Sequence, residues 1–282
     1  MSPMLGVVLI HGSRDPRPQA AAVQLLATLA TQLPSQTPFQ LHPVPTTLEL
    51  GETPLPQQLL QLVQQAQSQK HQHLRIFPLF LLPGNHVQAD LPEAVRACRA
   101  HLPSQFNLSI APPLGQDPQF GAWLRSSSIA TNPSIPWILL AHGSQRPEAQ
   151  LYLHHLAQAL EMTLATWAMP PHLDDRVKLW IDRGAQHLGV LPLFLFEGSI
   201  TQAVAEQVHH LQLAYPQHQW SLLPPLSQQP GFTDLVQTWL LRTTQPDRLS
   251  PSYPVATLTE GSTVPSIGGF APKEQGDATA WS

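Results

Sequence analysis

The sequence predicts an α/β fold built from two tandem halves, each an open, mostly parallel β-sheet flanked by helices. Short, uninterrupted apolar runs alternate along the chain with amphipathic stretches of helical period. Such runs are typical of strands that are buried on both faces by helices. The same series of segments then occurs a second time in the same order, which indicates a duplicated unit.

Three segments carry the evidence for the repeat. They are VVLIHGSR at 7–14 and WILLAHGS at 137–144, IFPLFL at 76–81 and VLPLFL at 190–195, and PPLGQDPQF at 112–120 and PPLSQQPGF at 224–232. Their order predicts two domains, 1–128 and 134–242, with a polar junction between them. Residues 243–282 contain few large apolar side chains and much Thr, Ser, Pro and Gly, which predicts a flexible tail.

The sequence of the first half predicts five elements in the order strand, helix, strand, helix, strand. These are expected at 5–10, 19–33, 45–50, 55–66 and 74–82. The helical stretches carry apolar residues at spacings of three and four, and the passages from strand to helix to strand favour right-handed crossovers. Asp90 and Glu93 then predict a capping box at the start of a further helix.

Composition excludes several classes of function. The chain has 14 lysine and arginine residues in total and a net charge of −4. It therefore has no broad basic surface, and no nucleic-acid partner is expected. The single cysteine, Cys98, excludes an intramolecular disulfide, a Cys-based zinc site and a Cys-ligated iron–sulfur cluster. No apolar run reaches the roughly 18 residues of a membrane helix. The first residues also lack the pattern of a secretory signal, so a cytoplasmic location is expected.

Two histidines and one glutamate are predicted to meet at one edge of the first sheet. His11 and His86 each follow a predicted strand, and Glu49 closes another. Ligands of open α/β sheets bind beyond the carboxyl ends of the strands, and imidazole with carboxylate suits a divalent first-row metal. Non-functional interpretations stay open at this point. The histidines could be polar residues at helix starts, Glu49 could be a solvated loop carboxylate, and residues 85–86 could form an ordinary turn.

The second half lacks most of this set. His142 repeats His11, but Ile200 aligns with His86, and no carboxylate stands clearly in the place of Glu49. The first half is therefore the one that is expected to carry a complete site.

The other histidines are expected to be solvated. The polar neighbours of His71 and His73 indicate that both histidines lie in an exposed loop. Neighbours on a helix point about 100° apart and do not readily chelate together, which predicts surface positions for His154, His155, His209 and His210.

Motifs of competing enzymes are missing from the sequence. It has no phosphate-binding G-x-x-x-x-G-K-[ST] loop, no G-x-G-x-x-G dinucleotide fingerprint and no G-x-S-x-G elbow that would make Ser13 a nucleophile. Ile10 stands where a histidine phosphotransferase would usually have arginine. Both hydrolase and phosphotransferase interpretations are weakened.

Three segments taken together resemble a known family. LIHGSRDP at 9–16, TLELGETP at 47–54 and PLFLLPGNHVQADLP at 78–92 resemble the sirohydrochlorin chelatases of the CbiX/SirB type. The resemblance extends over both halves, about 4–242, since long chains of this type look like two fused copies of a short homodimeric form. It implies two chelatase-like domains, of flavodoxin/Rossmann-like type, facing each other across a cleft in a monomer with an internal pseudo-dimer.

The resemblance implies the insertion of a divalent metal into sirohydrochlorin without ATP, with Co²⁺ for cobalamin or Fe²⁺ for sirohaem biosynthesis. The metal is then a substrate, and no organic cofactor is expected. Family roles make His11 and His86 metal-handling and proton-accepting imidazoles, assisted catalytically by the Glu49 carboxylate. The expected substrate contacts are Ser13, Arg14, Asn85 and His142, and Arg17 and Arg146 are further candidates for pairing with substrate carboxylates.

Two qualifications belong to the resemblance. Some long members carry a C-terminal His-rich stretch or a Cys motif for an iron–sulfur centre, whereas 243–282 contains neither His nor Cys, so no cluster is expected. A protein that carries a tetrapyrrole or a metal in the same cleft without turnover is the alternative function. Multiple turnovers would distinguish an enzyme from such a carrier.

Overall fold

Two parallel β-sheets, one from each half of the chain, form the framework of the protein. The computed structural model describes residues 4–82, 84, 89–128 and 134–244. Helices flank both sheets, and every strand pairing is parallel. The predicted fold class is confirmed.

The sheet of the first half has the strand order β2-β1-β4-β5, and β3 also pairs with β1. Its elements are β1 (Met4–Ile10), α1 (Pro16–Gln32), β2 (Phe39–Leu41), β3 (Thr46–Thr47), α2 (Leu55–Ser68), β4 (His73–Pro78), α3 (Leu91–Arg99), β5 (Asn107–Ile110) and α4 (Pro118–Ser128). On one side of β1, β2 pairs along its first residues and β3 along its last.

The second half repeats this arrangement with the strand order β7-β6-β8-β9. Its elements are β6 (Trp137–Ala141), α5 (Pro147–Ala159), β7 (Thr163–Thr166), α6 (Leu173–Asp182), β8 (His187–Pro192), α7 (Ser199–Ala214), β9 (Gln219–Leu222) and α8 (Phe232–Arg242). In both sheets the strand order reverses at the central pair, β1 with β4 and β6 with β8. Ligand crevices of open α/β sheets form beyond the carboxyl ends of such a pair.

Strand β1 shows why these apolar runs become central strands. All seven of its residues are buried, and alternate side chains point to opposite faces. Val8 and Ile10 pack into one core, whereas Val7 and Leu9 pack into another. Each such side chain contributes about 1.5–3 kcal/mol through burial, so a central strand gains from both faces.

The two halves share one hydrophobic core. Residues of α1, α4, α5 and α8 and of the inner sheet faces form it together, while α2 with α3 and α6 with α7 cover the outer faces. Trp239 of α8 packs edge-on against Phe77 of β4, with ring centroids 5.8 Å apart. Its indole N–H donates to the Pro112 carbonyl at 3.0 Å. The boundaries 1–128 and 134–242 stay a prediction, and the expected tail lies, from residue 245 onward, outside the described residues.

Two local predictions are wrong. Asp90 has helical backbone angles (φ −65°, ψ −46°) and accepts no capping hydrogen bond through its side chain, because the helical turn already includes it and an N-cap needs extended backbone. His71 is 8% exposed and His73 is half-buried, because β4 begins at His73 and draws both into the fold.

His73 belongs to a pair that both halves contain. Its Nε2 lies 2.6 Å from the Ser109 hydroxyl, and His187 makes the same contact with Ser221 at 2.8 Å. Burial, with a smaller contribution from the nearby Arg75 charge, lowers the pKa of His73. These histidines join neighbouring strands at the amino ends of β4 and β8, away from the predicted site. None of the described helices combines the length and the hydropathy that a membrane crossing requires.

Candidate active site

His11 and Glu49 lie on adjacent loops at the carboxyl edge of the first sheet. His11 directly follows β1 and is exposed. Beyond β3 the backbone continues to pair with the end of β1: Leu48 N–H donates to the Ile10 carbonyl and Glu49 N–H to the His11 carbonyl, both at 2.9 Å. The structure therefore brings two of the three predicted site residues together.

Gly12 allows this close approach. A Cβ at Gly12 would lie 1.9 Å from the Glu49 carbonyl oxygen, nearer than any real contact. The backbone there also has φ +98°, in the left-handed region that glycine adopts without strain. The glycine after His11 thus fixes the distance between the two loops.

The third predicted residue, His86, lies outside the described residues, as does Asn85. The strand that precedes them runs beside β1, and Leu79 N–H still donates to the Leu9 carbonyl at 2.8 Å. Within 4–82, 84, 89–128 and 134–244, no three His, Cys, Asp or Glu side chains are grouped closely enough to hold a metal ion. The complete set of His11, Glu49 and His86 stays a prediction.

Ser13 and Arg14 follow on the same loop and are exposed. The Ser13 hydroxyl accepts a hydrogen bond from Asp15 N–H at 3.0 Å, so it shapes the turn that leads into α1. Both side chains lie within four residues of His11 along the chain. Their roles as substrate contacts stay predictions.

Asp15 is a structural residue that the sequence analysis missed. It is the N-cap of α1 and accepts from Arg17 N–H at 3.0 Å. The Arg17 guanidinium also pairs with it at 2.6 Å. Hydrogen bonds from the Arg17 side chain are the main reason that the pKa of Asp15 lies well below its usual value. Asp followed by Pro just before a helical stretch was the available signal.

Arg17 is directed at acceptors of this chain and does not point freely toward a ligand. Besides Asp15, its guanidinium contacts Glu197 at 3.4 Å and Gln202 at 3.3 Å. These interactions leave the exposed Arg14 as the better candidate of the two for pairing with a carboxylated ligand.

The second half has the same backbone arrangement without the carboxylate. His142 follows β6 and is exposed, and Gly143 after it has φ +88°. Ala168 N–H donates to the His142 carbonyl at 2.9 Å, and this bond corresponds to the one from Glu49 N–H to the His11 carbonyl in the first half. Ala168 therefore occupies the place of Glu49, an equivalence that sequence comparison did not reveal.

A cavity of about 510 Å³ opens at the carboxyl edge of the second sheet. It is lined by side chains that include Trp167, His172, Asp174, Asp175, Glu206 and His210. Asp175 accepts from His172 N–H and so caps the start of α6. Asp174 accepts from the Gln207 side-chain amide and so joins the start of α6 to the middle of α7. Sequence analysis singled out none of these acidic residues.

Comparison with known proteins gives a consistent family. The family model CbiX matches the chain twice, at residues 6–131 and 136–243. A comparison with curated protein sequences gives no match.

Solved structures share the fold over most of both chains. SirB from Bacillus subtilis with Fe³⁺ has a TM-score of 0.68 and 20% identity, over 86% of this chain and 94% of that chain. The sirohydrochlorin chelatase SirB from Bacillus subtilis subspecies spizizenii in complex with cobalt has 0.62 and 19%, over 86% and 94%. CbiX, described as the terminal enzyme for siroheme biosynthesis in denitrifying bacteria, has 0.52 and 21%, over 85% and 98%.

The two family matches together span both sheets; the first begins within β1 and the second begins one residue before β6. The structural likeness is at low identity and concerns the fold. From the double family match, the chain belongs to the CbiX family.

Proposed function

We propose that the protein is a sirohydrochlorin chelatase, which inserts a divalent metal, Co²⁺ or Fe²⁺, into sirohydrochlorin without ATP. The observation that carries the proposal is the hydrogen bond from Glu49 N–H to the His11 carbonyl. This bond joins the backbones of Glu49 and His11 at the edge of the sheet where ligands of this fold class bind, which supports a shared site for the two side chains. Membership of the CbiX family supports the same activity.

The chemistry of metal insertion suits these residue types. The ion must lose water, reach four pyrrolic nitrogens and replace two N–H protons. A neutral imidazole can bind the ion or accept a proton, and a carboxylate can assist either step. In the proposed reaction, His11 and His86 hold the ion and take up protons, and Glu49 assists them.

An open site suits a metal that must leave. Two imidazoles and one carboxylate leave coordination positions free, whereas structural metal sites are closed by four protein ligands. His11 and Glu49 are both exposed, so a large planar substrate can approach them. Ser13, Arg14, Asn85 and His142 are the proposed contacts to the substrate.

The second half is proposed to lack a metal-insertion site of its own. Ala168 stands in the place of Glu49, and Ile200 aligns with His86. One chain then contains one site, which the first half supplies.

The finer assignments belong to the proposal as well. Both Co²⁺ and Fe²⁺ are proposed as metal substrates, because first-row ions share ligand preferences and cellular supply often decides between them. The related SirB structures contain Fe³⁺ and cobalt. On the sequence arguments we also propose that the protein serves cobalamin or sirohaem biosynthesis in the cytoplasm and is a monomer. On the same arguments it has no iron–sulfur cluster and no nucleic-acid partner.

The decisive experiment mixes the purified protein with excess sirohydrochlorin and either Co²⁺ or Fe²⁺, anaerobically and without ATP. The absorbance of sirohydrochlorin reports insertion. We expect many turnovers per protein with at least one metal, above the rate of a protein-free control. A change that stops at one equivalent of protein would support the carrier function and overturn the proposal.

A further inference from the structure

Five polar side chains from the two halves meet beside the loop that carries His11. This group, called the inter-half clamp, consists of Asp15, Arg17, Glu197, Ser199 and Gln202. The Ser199 hydroxyl donates to Asp15 Oδ2 at 2.9 Å. Arg17 lies between Asp15 of the first half and Glu197 of the second, so one cation connects two anions of different halves.

The clamp does more than cap helix α1. Capping requires only the bond from Arg17 N–H to Asp15 Oδ1, whereas Asp15 Oδ2 is shared by the Arg17 guanidinium and Ser199. The Asp15 side chain is 10% exposed. A charged acceptor that is shielded in this way makes stronger hydrogen bonds than a neutral, solvated one.

The backbone of Gly198 in the second half also lies close to side chains of the first half. A Cβ at Gly198 would lie 3.2 Å from the Pro18 ring and 3.7 Å from Asp15 Oδ2. The loop between β8 and α7 therefore packs directly on the first turn of α1.

The position of this loop in the repeat gives the clamp its meaning. Ile200 is the residue that aligns with His86, the proposed metal-handling histidine of the first half. The second copy thus lacks the imidazole at this position, and Ser199 at the start of α7 instead contacts Asp15 at the end of the His11 loop. A loop without the proposed chemistry is held against a loop that carries it.

We propose that Asp15, Arg17 and Ser199 are positioning residues, through which the second half fixes the His11 loop for metal insertion. The inference rests on the proposed function. The loop from His11 to Asp15 is attached to β1 at one end and to the clamp at the other, with Gly12 between them. Small displacements of a reacting group strongly reduce rates, so loosening the clamp lowers turnover more than it lowers stability.

Ser199→Ala tests the clamp, and Gln237→Ala is the matched control. Gln237 donates to the Gln32 carbonyl at 2.8 Å, which is a contact between the halves at the opposite end of α1. We expect Ser199→Ala to lower kcat by about fivefold to tenfold, with KM for sirohydrochlorin unchanged and only a small decrease in the unfolding midpoint. Gln237→Ala should keep the wild-type kcat. Ser199→Thr, which retains a hydroxyl group, should keep most of the kcat that Ser199→Ala loses.

A second measurement separates this inference from the proposed function. The ring signals of His11 in ¹H–¹³C spectra, assigned with His11→Ala, report the loop without any substrate. We expect these signals to shift or broaden in Ser199→Ala and to stay unchanged in Gln237→Ala. If the wild type inserts no metal while the signals change as expected, the proposed function fails and the clamp still positions His11. Unchanged signals, or changed signals with an unchanged kcat in an active protein, would overturn the inference.

Discussion

Glu49 and His11 are joined by a backbone hydrogen bond of 2.9 Å, donated by Glu49 N–H to the His11 carbonyl. In the second half Ala168 makes the corresponding bond to His142. The same backbone frame thus carries a carboxylate beside the histidine in one half and a methyl group in the other. This difference leads directly to the first prediction.

Replacing His11 and replacing His142 should have unequal effects. We expect His11→Ala to lower the rate of metal insertion by about 100-fold or more, because a general base or ligand contributes on this order. His142→Ala should keep much of the activity, since Ala168 leaves its surroundings without the carboxylate. Initial rates from the absorbance of sirohydrochlorin measure both. Equal losses in the two variants would contradict the assignment of the site to the first half.

Gly12→Ala should be more harmful than the same change at Gly184. Both glycines have positive φ, +98° and +86°, so both variants have a strain of about 1–2 kcal/mol. Only at Gly12 does the new Cβ meet a neighbour, the Glu49 carbonyl, whereas nothing lies within 4 Å at Gly184. We expect the Gly12 variant to lose roughly twice as much free energy of unfolding or more. Urea unfolding gives both values, and equal losses would contradict the close approach of the two loops.

The contribution of Asp15 to stability should disappear in acid. Its pKa in the folded protein lies below the ordinary value of 3.8, so the ionised carboxylate stabilises the fold above that pH. The contribution is lost as the pH falls below 3.8 toward the folded pKa. Asp15→Asn keeps an N-cap acceptor and removes the charge. We expect the difference in free energy of unfolding between wild type and this variant to narrow as urea titrations move below that pH. A constant difference across acidic pH would contradict the ion pair.

Trp239→Phe should destabilise both halves together. The change leaves the Pro112 carbonyl without its indole donor and removes part of a ring that is 1% exposed, at a cost of about 1–3 kcal/mol. Because the halves share one core, amide hydrogen exchange should lose the same protection in β1 and in β6. Loss confined to β6 would show that the halves unfold independently.

Much of the fold could be predicted from local pattern. The apolar runs that become β1 and β4 are continuous, and the spacing of Leu55, Leu59 and Leu62 marks the buried face of α2. The region before Glu49 was harder to predict, because β2 and β3 are three and two residues long with Pro43 and Pro45 between them. Proline interrupts the hydrogen bonds of a strand. The strand predicted at 45–50 is therefore reduced to the two residues of β3, and β2 was not predicted at all.

The sequence by itself determined that the chain is duplicated, that His11 and Glu49 follow strands, and that His142 is a repeat of His11. These features depend on order and periodicity, which local burial imposes on the residues. Only the tertiary structure decided that Glu49 lies beside His11, that Ala168 replaces Glu49 in the second half, and that Asp15 bonds to Ser199, 184 positions away. Such contacts arise where elements distant in sequence pack together, and no local pattern of apolar and polar residues records which loops will then meet.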